Sequence, residues 1–271
     1  MTHANAELLT LARDISLRAG ALIKQRRAEG VEVAQTKSAP EDIVTHADQE
    51  SEALIRSLLA EARPNDGFFG EESDATSGSS GLTWVVDPID GTVNYLYGIP
   101  AYAVSIAVVE GEPDPNTWSA LAAAVYNPAA DELFTAAAGA GAFLGERRLQ
   151  VAAAVQLPLA LVGTGFSYNS ARRRKQAAVV QGLIEQVRDI RRIGAASLDL
   201  CGVAAGRLDA YYEKGLKPWD HAAGALVAQE AGARVQGLNG AAASNALTIA
   251  AEPGLFEQLA PVLDGLNVLD A

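Results

Sequence analysis

The chain has 271 residues, 49% of them hydrophobic and 20% charged, and its 21 basic against 33 acidic side chains leave a formal net charge of −12. That apolar content supports a sizeable core and excludes a disordered tail protein. The acidity argues against direct nucleic-acid binding, which rests on basic patches.

The N-terminal ten residues lack the basic flank and apolar core of a secretory signal. Apolar Leu8, Leu11, Ile15, Ala19 and Ile23 recur every three to four positions, which predicts an amphipathic helix over 7–28 that stops at Gly30. β-Branched Ile43-Val44-Thr45 reads as a short strand, and a second helix is expected from Asp48 to about Glu61. Pro64-Asn65-Asp66-Gly67 is turn chemistry. Phe68-Phe69-Gly70 leads into the acidic pair Glu71-Glu72, and 73–81 is a polar loop expected to be mobile. Trp84-Val85-Val86 is a strand ending at Asp87, and further strands are predicted over 101–109, 119–126, 132–136 and 159–163.

The longest uncharged stretch, 149–171, is broken by Gln150, Gln156, Pro158 and Asn169, so it reads as loop and buried strand, not a membrane span. Strand and helix then alternate: a helix over 172–188, a strand over 191–194, a helix over 197–205, a strand over 208–213, a helix over 221–231, a strand near 247–250 and a last helix over 255–263. This order suggests stacked layers, with a mixed α/β, or α+β, fold of two halves, 1–152 and 153–271, forming one compact unit around a cleft. The single cysteine, Cys201, excludes an intramolecular disulfide and fits a reducing, cytoplasmic setting; its apolar helical run predicts a buried structural thiol.

The segment that carries chemistry is Asp87-Pro88-Ile89-Asp90-Gly91-Thr92. Pro88 restricts Asp87 to extended backbone, and Gly91 permits a tight turn and close approach to a ligand. Two hard oxygen ligands beside backbone N–H donors suit Mg²⁺ and phosphate. Each dipeptide alone also reads as an ordinary turn, Glu72 and Glu213 as solvated, and Asp48 and Asp220 as helix N-caps. His3, His46 and His221 form no zinc pattern.

Four blocks together resemble the inositol monophosphatase family of Mg²⁺-dependent, lithium-sensitive phosphatases: Gly70-Glu71-Glu72-Ser73, the Asp87–Thr92 block through Asn94-Tyr95, Gly194-Ala195-Ala196-Ser197, and Trp219-Asp220-His221-Ala222-Ala223-Gly224 running on to Gly232. The resemblance implies that family's layered αβαβα sandwich and a homodimer. It implies two or three Mg²⁺ ions, the first held by Glu71, Asp87 and the Ile89 carbonyl, the second by Asp87, Asp90 and Asp220, and a weaker third near Glu71. Asp90, Gly91 and Thr92 would cradle the phosphate of a small phosphorylated polyol. Gly194, Ala195, Ala196, Glu213 and Asp220 would contact the polyol, and Thr92 with Asp48 and Glu71 would prepare the attacking water. Lys37 matches a lysine near the third ion, and equally reads as an exposed loop residue. Ala233, where the family often has glycine, together with Lys217 and the 73–81 loop, depart from the pattern. Ala233 touches only a helix end, whereas Lys217 and the loop bear on substrate identity: inositol 1-phosphate is the first expectation, histidinol phosphate the alternative, and a regulatory or RNA-processing partner protein that retains the fold a third reading.

Overall fold

The computed structural model describes residues 3–37 and 43–271. Helix α1 (His3–Glu29) buries Leu8, Ala12, Ile15, Ala19 and Ile23 along one stripe. It ends at Gly30, whose φ of 116° suits glycine. Strands β1 (Val33–Thr36) and β2 (Ile43–Thr45) pair antiparallel and lead into α2 (His46–Ala62).

A seven-stranded sheet follows, in the order β3 (Gly67–Gly70), β4 (Leu82–Asp90), β5 (Ala103–Glu110), β6 (Ser119–Asn127), β7 (Glu132–Ala137), β8 (Gly141–Leu144) and β9 (Arg147–Arg148). Only β3 and β4 are parallel, and a short helix, α3 (Thr92–Tyr97), separates β4 from β5. The second half supplies β10 (Leu161–Thr164), α4 (Ser170–Leu183), β11 (Asp189–Arg191), α5 (Ala196–Ala204), β12 (Ala210–Glu213), α6 (Pro218–Glu230), β13 (Arg234–Gln236), β14 (Thr248–Ala251) and α7 (Pro253–Gly265). Its five strands are ordered β11-β10-β12-β14-β13.

The layers alternate α, β, α, β, α. Helices α1 and α2 cover one face of the large sheet and α5 and α6 the other; α5 and α6 also cover the small sheet, whose far face carries α4 and α7. The strand sequences explain this. Trp84 and Val86 of β4, and Val104, Ile106 and Val108 of β5, enter the core under α1. The alternate residues Val85, Ala103, Ala107 and Val109 enter the core under α6. A strand buried on both faces needs an unbroken apolar run, and each such side chain stabilises the fold by about 1.5–3 kcal/mol.

The expected strands and helices are found within a few residues, with three differences. The helix expected to reach residue 188 ends at Leu183. Strands β1, β8, β9 and β13 were not anticipated, since each is four residues or fewer and all but β8 lie at sheet edges. Asp48 is not the N-cap of α2: Thr45 is, and Asp48 stands at the third helical position, accepting hydrogen bonds from Thr45 N at 2.8 Å and Thr45 Oγ1 at 2.5 Å. Cys201 is fully buried in α5, as expected of a structural thiol. Among the described residues no helix is long and apolar enough to cross a membrane.

Candidate active site

The end of β4 builds the centre of the site. Asp87 lies opposite Ser105 of β5, and Asp90 opposite Ala103, so three steps on β4 match two on β5. Pro88, which has no N–H to give a ladder, sits in this irregularity. Residues three apart normally point to opposite faces; the extra residue turns Asp87 and Asp90 to the same side. Asp87 Oδ1 accepts from Ile89 N at 3.0 Å, which fixes the turn.

Gly91 then caps α3 with a φ of 91°. A Cβ there would press on the Ala101 and Gly194 carbonyls and on Ala195, so Gly91 lies at one close contact between the N-terminal and C-terminal parts of the chain. The same contact continues on both sides. Asn94 Nδ2 donates to Ala101 O at 2.8 Å and to Ile193 O at 2.9 Å. The start of α5 grips Asp90: Ala196 N donates at 3.2 Å, Ser197 N at 2.7 Å and Ser197 Oγ at 2.5 Å.

Three further elements bring their acids to this point. Thr92 Oγ1 lies 3.1 Å from Asp48 Oδ1 on α2 and 3.0 Å from the Ile89 carbonyl. Glu71 follows β3, and the preceding Phe69 packs edge-on against Trp219 with ring centroids 5.2 Å apart. Asp220 follows Trp219. It is not an N-cap but the third residue of α6, and Lys217 N donates to its Oδ2 at 2.6 Å. Glu72 is not solvated: its side chain is 5% exposed and shares Lys37 Nζ with Glu71, at 2.7 and 2.8 Å. Lys37 therefore lies against the acidic loop and not free in solvent.

Burial, and then the charges of Glu71, Asp90 and Asp220, hold the Asp87 carboxyl well above the ordinary carboxylate range. Burial and Glu71 raise Asp220 likewise. Burial lifts Asp90 to about 6, against the pull of Ser197. Asp48 is raised to about 6 by burial, and Glu72 to about 7 by burial against the opposing bond from Lys37. Burial works against the Lys37 ammonium, but Glu71 and Glu72 outweigh it and raise its pKa. Mutually repelling, buried, oxygen-only donors are the chemistry a hard divalent cation neutralises, so the residues fit Mg²⁺. Among the described residues no three or more acidic, histidine or cysteine side chains are gathered tightly enough to hold one ion.

Glu213 ends β12. It is partly enclosed rather than solvated, and Lys214 bonds the Leu269 carbonyl instead of it. Tyr211 Oη donates to Glu213 Oε2 at 2.6 Å, and a Cβ on Gly165 would overlap the Glu213 carboxylate. Burial raises Glu213 to about 7, and Asp90 and Asp220 both feel its charge. Gly194, with a φ of 95°, lies beside Asn94 and Arg192, completing the wall opposite Gly91. Lys217 is exposed and caps α6, entering these contacts only through its backbone N–H on Asp220. His221 is buried against Trp118, and burial lowers its pKa to about 4.

Ser197, Asn94 and Glu52 were given no role from sequence. Ser197 and Asn94 sit inside the motif blocks, where spacing shows neither the carboxylate nor the carbonyls they bond. Glu52 lies one helical turn beyond Asp48, a signal of a shared face.

Comparison with known proteins bears out the fold and shows the family. The model of the inositol monophosphatase family matches residues 4–266. The inositol-1-monophosphatase SuhB of Mycobacterium tuberculosis is 44% identical over 284 aligned positions, covering 98% of this chain and 96% of its own. The solved M. tuberculosis SuhB structure superposes with a TM-score of 0.81 at 43% identity, over 97% of this chain and 98% of that one. A Xylella fastidiosa relative named Nus factor SuhB is 45% identical over 202 positions, 74% of this chain and 70% of its own.

Proposed function

The chain belongs to the inositol monophosphatase family, and from that premise we propose that it hydrolyses a small phosphorylated polyol, inositol 1-phosphate to myo-inositol and phosphate, with two or three Mg²⁺ ions. One observation carries the reading: the irregularity in β4 sets the buried Asp87 and Asp90 on one side beside the Thr92–Asp48 pair, with Asp220 at the start of α6 near enough for its charge to bear on Asp87. A fold that retains such repulsion obtains something for it, and a divalent cation is the simplest compensation.

On this reading Glu71, Asp87, Asp90, Asp220 and the Ile89 carbonyl hold the metal, which when bound neutralises ester charge and acidifies the attacking water. Thr92 Oγ1 takes a proton from that water as it passes its own proton to Asp48 Oδ1, 3.1 Å away, so the threonine stays neutral and the water becomes the nucleophile. A carboxylate raised to about 6 and fixed by two bonds from Thr45 is suited to accept it near neutral pH. Glu71 assists at the same water. The backbone at Asp90, Gly91 and Thr92 cradles the phosphate. Gly194, Ala195, Ala196 and Glu213 receive the polyol, with Glu213 accepting from its hydroxyls. With the division at 152/153 proposed from sequence, phosphate and polyol are held by different halves. We extend the reading to a cytoplasmic homodimer, in keeping with the family and the lone buried thiol.

The test is phosphate release from inositol 1-phosphate and histidinol phosphate side by side, with and without Mg²⁺. Mg²⁺-dependent release favouring the inositol ester supports site and substrate together. Preference for histidinol phosphate keeps the metal chemistry and changes the substrate. Silence on both removes the inositol reading. The relative named Nus factor SuhB supports a second reading, a regulatory partner; then partner function would survive loss of turnover.

A further inference from the structure

Glu52 on α2 is 2% exposed, and among the described residues it has no ion-pair partner. A buried carboxylate without a cation costs stability unless hydrogen bonds compensate. Its bonds all go to one place. Glu52 Oε2 accepts from Glu72 N at 2.8 Å, and Oε1 accepts from Ser73 Oγ. Both donors lie in the 71–73 turn, on the two residues directly after Glu71. Gly70, immediately before that turn, has no positive φ to require glycine; it is glycine because a Cβ would overlap Glu52 Oε2. One helical turn on, Arg56 stacks over Phe68 at 4.3 Å and donates to Ser73 Oγ at 2.9 Å and to Asp74 O at 2.5 Å.

The same face of α2 reaches the other acidic segment. Ser51 Oγ donates to the Pro88 carbonyl at 3.3 Å, between Asp87 and Ile89, and Asp48 meets Thr92. Residues 48, 51, 52 and 56 lie on one helical stripe. That stripe touches both segments proposed to hold metal, and nothing in its apolar packing needs a carboxylate at 52.

We propose that Glu52 is a positioning residue: it grips the backbone of the 71–73 turn and so sets Glu71 at its distance from Asp87. The proposal deepens the metal-dependent phosphatase reading and rests on it. Outer contacts of this kind alter metal affinity by about 10–100-fold when removed.

The experiment is calorimetric titration of Mg²⁺ into the full chain and into Glu52→Gln, Glu52→Asp and Glu52→Ala, with thermal melts of each metal-free protein. Glutamine keeps the reach: its oxygen accepts from Glu72 N and its amide donates to Ser73 Oγ. Aspartate keeps the charge and loses the reach. Positioning requires Glu52→Gln within about threefold of the parent affinity, and Glu52→Asp and Glu52→Ala weaker by about tenfold or more. The reverse order, Glu52→Asp intact and Glu52→Gln weak, overturns the proposal in favour of long-range charge. Parent-like affinity in both overturns it too. Absence of Mg²⁺ binding to the parent chain removes the metal assignment and this proposal together, a result distinct from either pattern among the variants. Should Glu52→Ala not fold, the Gln and Asp pair decides alone.

Discussion

Ser197 and Asp90, 107 residues apart in sequence, share one bond pair: Ser197 Oγ donates to Asp90 Oδ2 at 2.5 Å and Ser197 N donates to the same oxygen at 2.7 Å. The first turn of α5 thereby orients a carboxylate at the end of β4. A bond from a hydroxyl to a buried charged acceptor contributes about 1.5–3 kcal/mol, here shared with two backbone donors. Ser197→Ala is expected to raise the half-saturating Mg²⁺ of phosphate release about fivefold, with turnover at saturating Mg²⁺ little changed. An unaltered Mg²⁺ requirement would remove Ser197 from the site.

Asp90→Asn is expected to abolish turnover while leaving the fold. The amide fills the same space and still accepts through one oxygen. It loses charge where burial and Glu71 already disfavour it, so the broken hydrogen bond and the relieved repulsion offset each other. Phosphate release and far-UV circular dichroism measure the two halves of this expectation. Near-normal activity in the variant would show that Asp90 holds no essential ion.

The layered fold was legible because its central strands are buried on both faces, and such strands announce themselves as apolar runs: Val104 to Val109 is one. The acids were legible because proline and glycine punctuate them, as in Asp87-Pro88-Ile89-Asp90-Gly91. What spacing cannot carry is convergence. Nothing local to Ser197 points to Asp90, and nothing local to Glu52 points to Glu72. Asp48 and Asp220 were misread as N-caps for a related reason. An acid three residues into a helix that bonds back to the cap backbone has the composition of a cap itself, and only coordinates separate the two. Strand β9 escaped because two arginines at a sheet edge have no periodic signal, and β8 because four residues are too few to show one.

Asp66, remote from the acids, gives a stability prediction with a pH sign. Trp84 Nε1 at 2.9 Å and Arg63 Nε at 2.8 Å both donate to its Oδ2. Burial pushes its pKa up, but Arg63, Ser80 and Trp84 outweigh this and hold it below the usual value. A lowered folded pKa adds stability that is complete above the unfolded value, ~3.9, and is lost as pH falls through the lowered folded one. Asp66→Asn should therefore cost about 1–3 kcal/mol near neutral pH. The gap between parent and variant should narrow once pH falls below ~4 and close only below the lowered folded pKa. Urea unfolding at pH 7 and at a series of pH values descending from ~4 measures it; a gap that stays constant across the acid series would show that the loss is packing rather than charge.

Gly165 tests the polyol side. Its φ is not positive, so alanine fits the backbone, but an alanine Cβ would lie on the Glu213 carboxylate that Tyr211 now holds at 2.6 Å. Gly165→Ala must therefore displace Glu213 while leaving Asp90, Gly91 and Thr92 untouched. If Glu213 accepts from the polyol, KM for inositol 1-phosphate should rise about tenfold, the worth of roughly one buried charged hydrogen bond. Inhibition by inorganic phosphate, which needs only the cradle, should stay as in the parent. The cause is separable by a double-mutant cycle. Placed on Glu213→Ala, Gly165→Ala should add little, because the group it displaces is already gone. Additive losses in the double variant would mean that Gly165 acts independently of Glu213, and an unchanged KM in Glu213→Ala alone would remove Glu213 as the polyol contact.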